Sequence, residues 1–156
     1  MNKNSAVKAV VHKTFAVPAE TVFDAWLIAP QLGNWMFGPK VRDEETVSLN
    51  NEVRVGGRFS FVVRREGKEI DHVGEYLEIR RPERLAFTWG IEGESGDSQV
   101  IVELREEEGK TRLKLTHKLD SAWADYVQPT KTAWAHMLDL LGDFLTEAKS
   151  QRALPL

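Results

Sequence analysis

Between Val41 and Lys118 five turn signals cut the chain into short runs: Gly56-Gly57, Glu66-Gly67, Arg81-Pro82-Glu83, the loop from Gly93 to Asp97, and Glu108-Gly109. Gly supplies positive φ and Pro presets a turn, so each signal marks a reversal, and five reversals imply six strands. Side chains alternate along them. Phe59, Phe61 and Val63 oppose Arg58, Ser60 and Arg64; Leu113, Leu115 and His117 oppose Arg112, Lys114 and Thr116; Val100, Val102 and Leu104 oppose Glu103 and Arg105. A period of two gives each strand one apolar and one wet face, as in an antiparallel sheet with one solvated side. Such a sheet needs a cover.

The end of the chain supplies one. From Pro129 to about Lys149 no proline intervenes, and Trp134, Met137, Leu138, Leu141, Phe144, Leu145 and Ala148 recur at three- and four-residue spacing. That spacing predicts one amphipathic helix of roughly 20 residues, about 30 Å long, with Asp139, Asp143 and Glu147 facing water. Residues after Arg152 read as frayed. At the other end, residues 7–17 are rich in β-branched types and free of Gly and Pro, which predicts a first strand. Pro18 suits the start of a helix carrying Val22, Phe23 and Trp26 to about Ile28, where Pro30 is expected to end it. A second short helix carries Leu32 and Trp35 before Gly38 and Pro39. The class is α+β: a curved antiparallel sheet of about seven strands, two short helices after the first strand, and a long C-terminal helix across the concave face.

A length of 156 residues fits one domain, 1–156, large enough to bury a core without disulfides. There is no cysteine, which removes thiol catalysis, iron-sulfur ligation and Cys-based zinc sites. A net charge of -3 gives no basic field for nucleic acid. No run approaches the roughly 20 apolar residues of a membrane span, and Lys3, Lys8 and Lys13 interrupt any secretory segment. A cytoplasmic protein is expected, as a monomer or a homodimer.

Few constellations carry chemistry. His136 beside Asp139, Asp143 and Glu147 is better read as a solvated helix face than as a metal site, and the four histidines lack zinc-ligand spacing. No metal or cofactor is assigned. The Val55-Gly56-Gly57-Arg58-Phe59 segment runs into a strand rather than a helix N-terminus, so it reads as a turn and not as a phosphate cradle. No nucleophile with a matched base is visible, and no catalytic residue is assigned. His117 falls on the apolar face, either as a hydrogen-bonded core histidine or as a polar group lining a ligand cavity. Trp35, Phe59, Phe61, Phe87, Trp89 and Trp134 also point inward. Core packing accounts for such rings, but one helix on a wide curved sheet also leaves a concavity that a ligand can fill.

The order of elements resembles the helix-grip fold of the START and birch-pollen-allergen (SRPBCC) superfamily. Lys13 to Pro18, Val22 to Trp26, Trp35-Met36-Phe37-Gly38-Pro39, Val55 to Phe59, Gly74 to Ile79, Pro82 to Trp89, Leu113 to His117 and Trp134 to Leu141 together resemble the heat-shock protein 90 ATPase activator homologue family, over about residues 8 to 148. Two positions depart from the family pattern: Met36-Phe37 stands where a second Trp is common, and Ala133 where a Gly precedes the helix Trp. The resemblance implies a cavity between sheet and closing helix, lined by Trp35, Phe37, Phe59, Phe61, Tyr76, Phe87, Trp89, His117, Trp134, Met137, Leu138 and Leu141. It implies binding of a small hydrophobic molecule there, with His117 or Tyr76 as the polar handle. The family name brings a second reading, a stress-response module that binds a chaperone or another protein. The eukaryotic activator, however, resembles this chain only in its C-terminal domain, and this chain is expected to lack the domain that contacts the chaperone. A cavity enzyme such as a cyclase is the third reading.

Overall fold

The computed structural model describes residues 7–94 and 98–153, with side chains to residue 148. The far side of the Gly93 to Asp97 loop and the tail beyond 153 lie outside the described residues. Strand β1 (Val7–Phe15) leads into helices α1 (Ala19–Ala25) and α2 (Ala29–Trp35). Then come β2 (Glu45–Asn51), β3 (Arg58–Arg65), β4 (Lys68–Arg80), β5 (Arg84–Ile91), β6 (Ser98–Glu107) and β7 (Lys110–Leu119). A 3₁₀ turn (Ser121–Tyr126) hands the chain to α3 (Val127–Ala153).

The seven strands form one antiparallel sheet in the order β1-β7-β6-β5-β4-β3-β2. Six of them are the meander expected from the turn signals. The first strand returns to close the row beside the last, its Ala9 opposite His117 and its Val11 opposite Leu115. Residues paired across neighbouring strands share a face, so the inward set assembles from Phe59, Phe61, Val63, Tyr76, Leu85, Phe87, Val100, Val102, Leu113 and Leu115, all buried. Helix α3 covers this face, resting chiefly on β1 and α2. Lys13, inward on the edge strand, reaches Asp139 of α3 at 2.8 Å and ties the helix to that edge.

Pro30 does not end the first helix. It occupies the first turn of α2, where its missing N–H costs no bond and its fixed φ suits a helix start. The first helix has already closed at Trp26, the residue that caps it. Leu77, at an irregularity in the pairing of β4 with β5, is turned to solvent.

Candidate functional site

The middle of the sheet is paved with rings. Phe59 and Phe61 come from β3, His72 and Tyr76 from β4, Phe87 and Trp89 from β5, all on the inward face because they sit at alternate positions on paired strands. Phe59 is the hub. Its ring lies 4.8 Å from Phe61, 5.5 Å from Tyr76, 5.7 Å from Phe87 and 5.9 Å from Trp89, measured between centroids. Gly74, directly opposite Phe59 on β4, makes this possible. A methyl at that position would collide with the Phe59 ring and the Thr88 carbonyl oxygen.

The two short helices supply the roof. Trp26 packs edge-on against Trp35, with centroids 4.7 Å apart, and also touches Phe87 and Trp134. Phe37, just beyond α2, stacks on Trp89 at 6.2 Å and meets Phe61 and His72 at 5.5 and 4.9 Å. Between floor and roof lies an apolar cleft lined by Trp26, Met36, Phe59, Phe61, Tyr76, Phe87 and Trp89, with a volume of about 10 Å³. That is room for about one water molecule. The concavity left by a single helix is therefore filled here by side chains. A larger groove of about 690 Å³ between residues 65–72 and 91–94 is lined mainly by charged groups.

The loop that carries the roof is pinned by a buried carboxylate. Glu44 accepts the Gly38 N–H at 2.8 Å and pairs with Arg42 at 2.9 Å and Arg65 at 2.7 Å. Burial alone would raise its carboxyl, but the Gly38 N–H, Arg65 and Arg42 outweigh it and hold it below the usual carboxylate range. Gly38 sits at φ +103, where a side chain would be strained. Phe37 and Met36 are thus held down on the cleft from the adjoining residues.

Polar groups around the rings are mostly spoken for. Trp134 Nε1–H donates to His117 Nδ1 at 2.9 Å, which fixes the tautomer; His117 Nε2–H then donates to Ser98 Oγ at 2.7 Å, and Ser98 Oγ donates to the Trp89 carbonyl at 3.0 Å. Burial pushes the imidazole down to about 4, so it is neutral near pH 7. Both ring nitrogens are engaged within the core. His72 Nδ1 lies 3.0 Å from the Phe61 carbonyl, and burial lowers its pKa as well. Tyr76 is different. Its hydroxyl accepts from Asn51 Nδ2 at 3.0 Å, and the Leu27 carbonyl, 2.8 Å from the same nitrogen, fixes the orientation of that amide. Burial pushes the phenol up, so it keeps its proton. The buried Nε1–H of Trp26 has no hydrogen-bond partner.

Of the residues expected to line a cavity, Phe59, Phe61, Tyr76, Phe87 and Trp89 border the cleft. Trp35 backs Trp26 and donates its own N–H to the Ala25 carbonyl at 3.1 Å. Phe37 closes over Phe61, while Trp134 abuts Trp26 and Trp89. Met137, Leu138 and Leu141 are buried in the continuous core along α3. Trp26 and Met36 line the cleft without having been singled out for it. The signal for Met36 was its place in the segment that departs from the family pattern. For Trp26 it was a tryptophan at the last turn of a helix that a break follows.

Among the described residues no group of three or more His, Asp or Glu side chains is placed to hold a metal ion. His136 Nε2 instead lies 3.1 Å from the Val41 carbonyl, bonding α3 to the loop after α2. No helix of the described residues is long and apolar enough to cross a membrane.

The family model for Activator of Hsp90 ATPase homolog 1-like protein matches residues 16–146. Among solved structures, a protein from Rhodobacter sphaeroides superposes with a TM-score of 0.80 at 21% identity, over 94% of this chain and 97% of that one. An AHSA1-like protein from Aeromonas hydrophila gives 0.74 at 19%, over 92% and 94%. CalU16 from Micromonospora echinospora gives 0.69 at 24%, over 94% and 80%. At these identities the likeness establishes the fold. No curated protein sequence matches the chain.

Proposed function

Because the chain belongs to the Activator of Hsp90 ATPase homolog 1-like protein family through residues 16–146, we propose that it binds a small hydrophobic molecule in the aromatic cleft between the sheet and the two short helices. The observation that carries this reading is the convergence of Trp26, Phe59, Phe61, Tyr76, Phe87 and Trp89 on one small void that no charged side chain borders. Apolar contact with those rings supplies affinity at roughly 25 cal/mol per Å² buried. The small volume sets the condition for entry: Met36 and Phe37 must swing out with the loop that Glu44 holds, and affinity is lowered by the cost of that opening. No step of chemistry is assigned, and a cytoplasmic setting suits a chain without cysteine.

Partner binding is the second reading. It is favoured by the family name and by Trp123 and Tyr126, which are 41% and 54% exposed and lie with their rings 5.1 Å apart before α3.

The test of the first reading is native mass spectrometry on protein purified gently from its own host, followed by solvent extraction. A stoichiometric apolar adduct is expected. A clean apo mass, together with no saturable one-to-one uptake of 1-anilinonaphthalene, would contradict it.

A further inference from the structure

We infer that the outward face of the sheet, at its β1 end, docks an acidic, extended segment of a partner protein, held by Lys8, Lys114, Lys118 and Arg112. This face lies on the side of the sheet away from the aromatic cleft, so the inference stands apart from the ligand reading. The strand register does the placing. Lys8 on β1 stands directly opposite Lys118 on β7, and Arg112 on β7 stands directly opposite Arg105 on β6. Lys114, between them along β7, has His12 on one side and Glu103 on the other. These positions alternate with Leu113, Leu115 and His117, which are buried on the inward face.

Elsewhere on the outward face the register sets opposite charges together: Arg58 with Glu75 and Arg64 with Glu69 across β3 and β4, and Arg84 with Glu103 across β5 and β6. At the β1 end it sets like against like, which costs stability. The nearby carboxylates are engaged: Glu103 by Arg84 at 2.7 Å, Glu107 by Arg105 at 3.0 Å, and Asp120 by the Ala122 N–H at 2.9 Å. Among the described residues Lys8, Arg112, Lys114 and Lys118 form no ion pair. Protection of a sheet edge does not account for them. A lysine on an edge strand guards against stray pairing, and Lys8 serves that end, but Arg112, Lys114 and Lys118 belong to β7, which is paired on both sides.

The chemistry of the partner follows from the spacing. Along β7, Lys118, Thr116, Lys114 and Arg112 follow one another at every second residue, about 7 Å apart. Thr116 is flanked by Val10 on β1 and Ile101 on β6, an apolar gap between the cations. An extended segment lying along β7 has the same step, so the pattern that matches is acid-x-apolar-x-acid-x-acid. Nucleic acid fits less well, because so few cations in a chain of net charge -3 neutralise few phosphates. A lipid surface takes up apolar groups that project into it, whereas Ile101 is recessed, at 9% exposed.

The test is a titration of ¹⁵N-labelled protein with three capped peptides of equal length: Glu-Ser-Val-Ser-Glu-Ser-Glu, the same with Gln for every Glu, and the reordered Glu-Glu-Glu-Val-Ser-Ser-Ser. The first should shift the amides of β7 along a saturating curve, with affinity about tenfold lower for the Gln peptide and several-fold lower for the reordered one. Lys118→Glu, which removes the like-charge pair with Lys8, should weaken the first peptide several-fold with a Tm no lower than that of the wild type. Equal binding of the Glu and Gln peptides, equal binding of the reordered peptide, or shifts confined to other surfaces would overturn the inference. So would tighter binding of a single-stranded oligonucleotide of equal charge, or of vesicles of phosphatidylcholine and phosphatidylserine, which would make the face a phosphate site. If none of the peptides binds, the inference falls and the cleft reading is untouched. The wild-type comparison needs no variant to fold.

Discussion

His117 shows how burial at one residue becomes a property of the whole protein. A histidine in the unfolded chain takes up a proton near pH 6.5, whereas in the core burial defers this to about 4. The unfolded state therefore binds more protons between those values. Stability is fully present above pH 6.5 and drains as pH falls toward 4, by about 3 kcal/mol in all. His72, lowered by burial in the same direction, adds to the same loss. Urea unfolding at pH 7, 5.5 and 4.5 checks this, and a flat profile from 7 to 5 would contradict it. Trp134→Phe should cost about 1 to 3 kcal/mol, because it leaves His117 Nδ1 buried without its donor. Trp134→Ala should cost about 3 to 5 kcal/mol by adding a cavity. That His117 points inward was legible from the alternation of β7. Its engagement was not, because its partners, Ser98 and Trp134, lie 19 residues before it and 17 after it.

At the scale of elements, the strands and their turns were legible because turn chemistry and period-two alternation are local signals. The segment between α2 and β2 was not. Nothing in Arg42-Asp43-Glu44-Glu45 marks one carboxylate as the buried one, and only the fold brings Arg65 to it from β3. Glu44→Gln should destabilise the protein by about 1 to 3 kcal/mol, the lower part of the range reflecting two arginines that keep about a third of their side chains in water. Its more specific mark is faster hydrogen exchange of the Gly38 amide, read by NMR. An unchanged Gly38 rate would remove Glu44 as the fastener of the loop. Gly74→Ala should cost about 1 to 3 kcal/mol or more, since the added methyl meets the Thr88 backbone oxygen as well as the movable Phe59 ring. Denaturation alongside the ring signals of Phe59 and Tyr76 would show it; a neutral variant would mean that Phe59 has other room.

The molecule as a whole is a sheet gripped by one helix, with the space between them shared by two kinds of filling. Along α3, Leu138, Leu141 and Leu145 are buried in the continuous core. Over β3 to β5, Trp26 and Phe37, which follow α1 and α2, bring rings down on rings. The sequence pattern told which side chains face inward; how much space they leave depends on ring tilts and on the path of one loop, which no spacing encodes. In the proposed function this second region, a void of about 10 Å³, is where an apolar molecule enters. The five tryptophans make it testable in one titration, because Trp26 and Trp89 line the cleft, Trp35 and Trp134 touch their rings, and Trp123 lies exposed before α3. Indole N–H signals of ¹⁵N-labelled protein, followed as 1-anilinonaphthalene is added, should move for Trp26 and Trp89 with one saturating curve while Trp123 stays still. Movement of Trp123 alone, or of none of the five, would contradict the account.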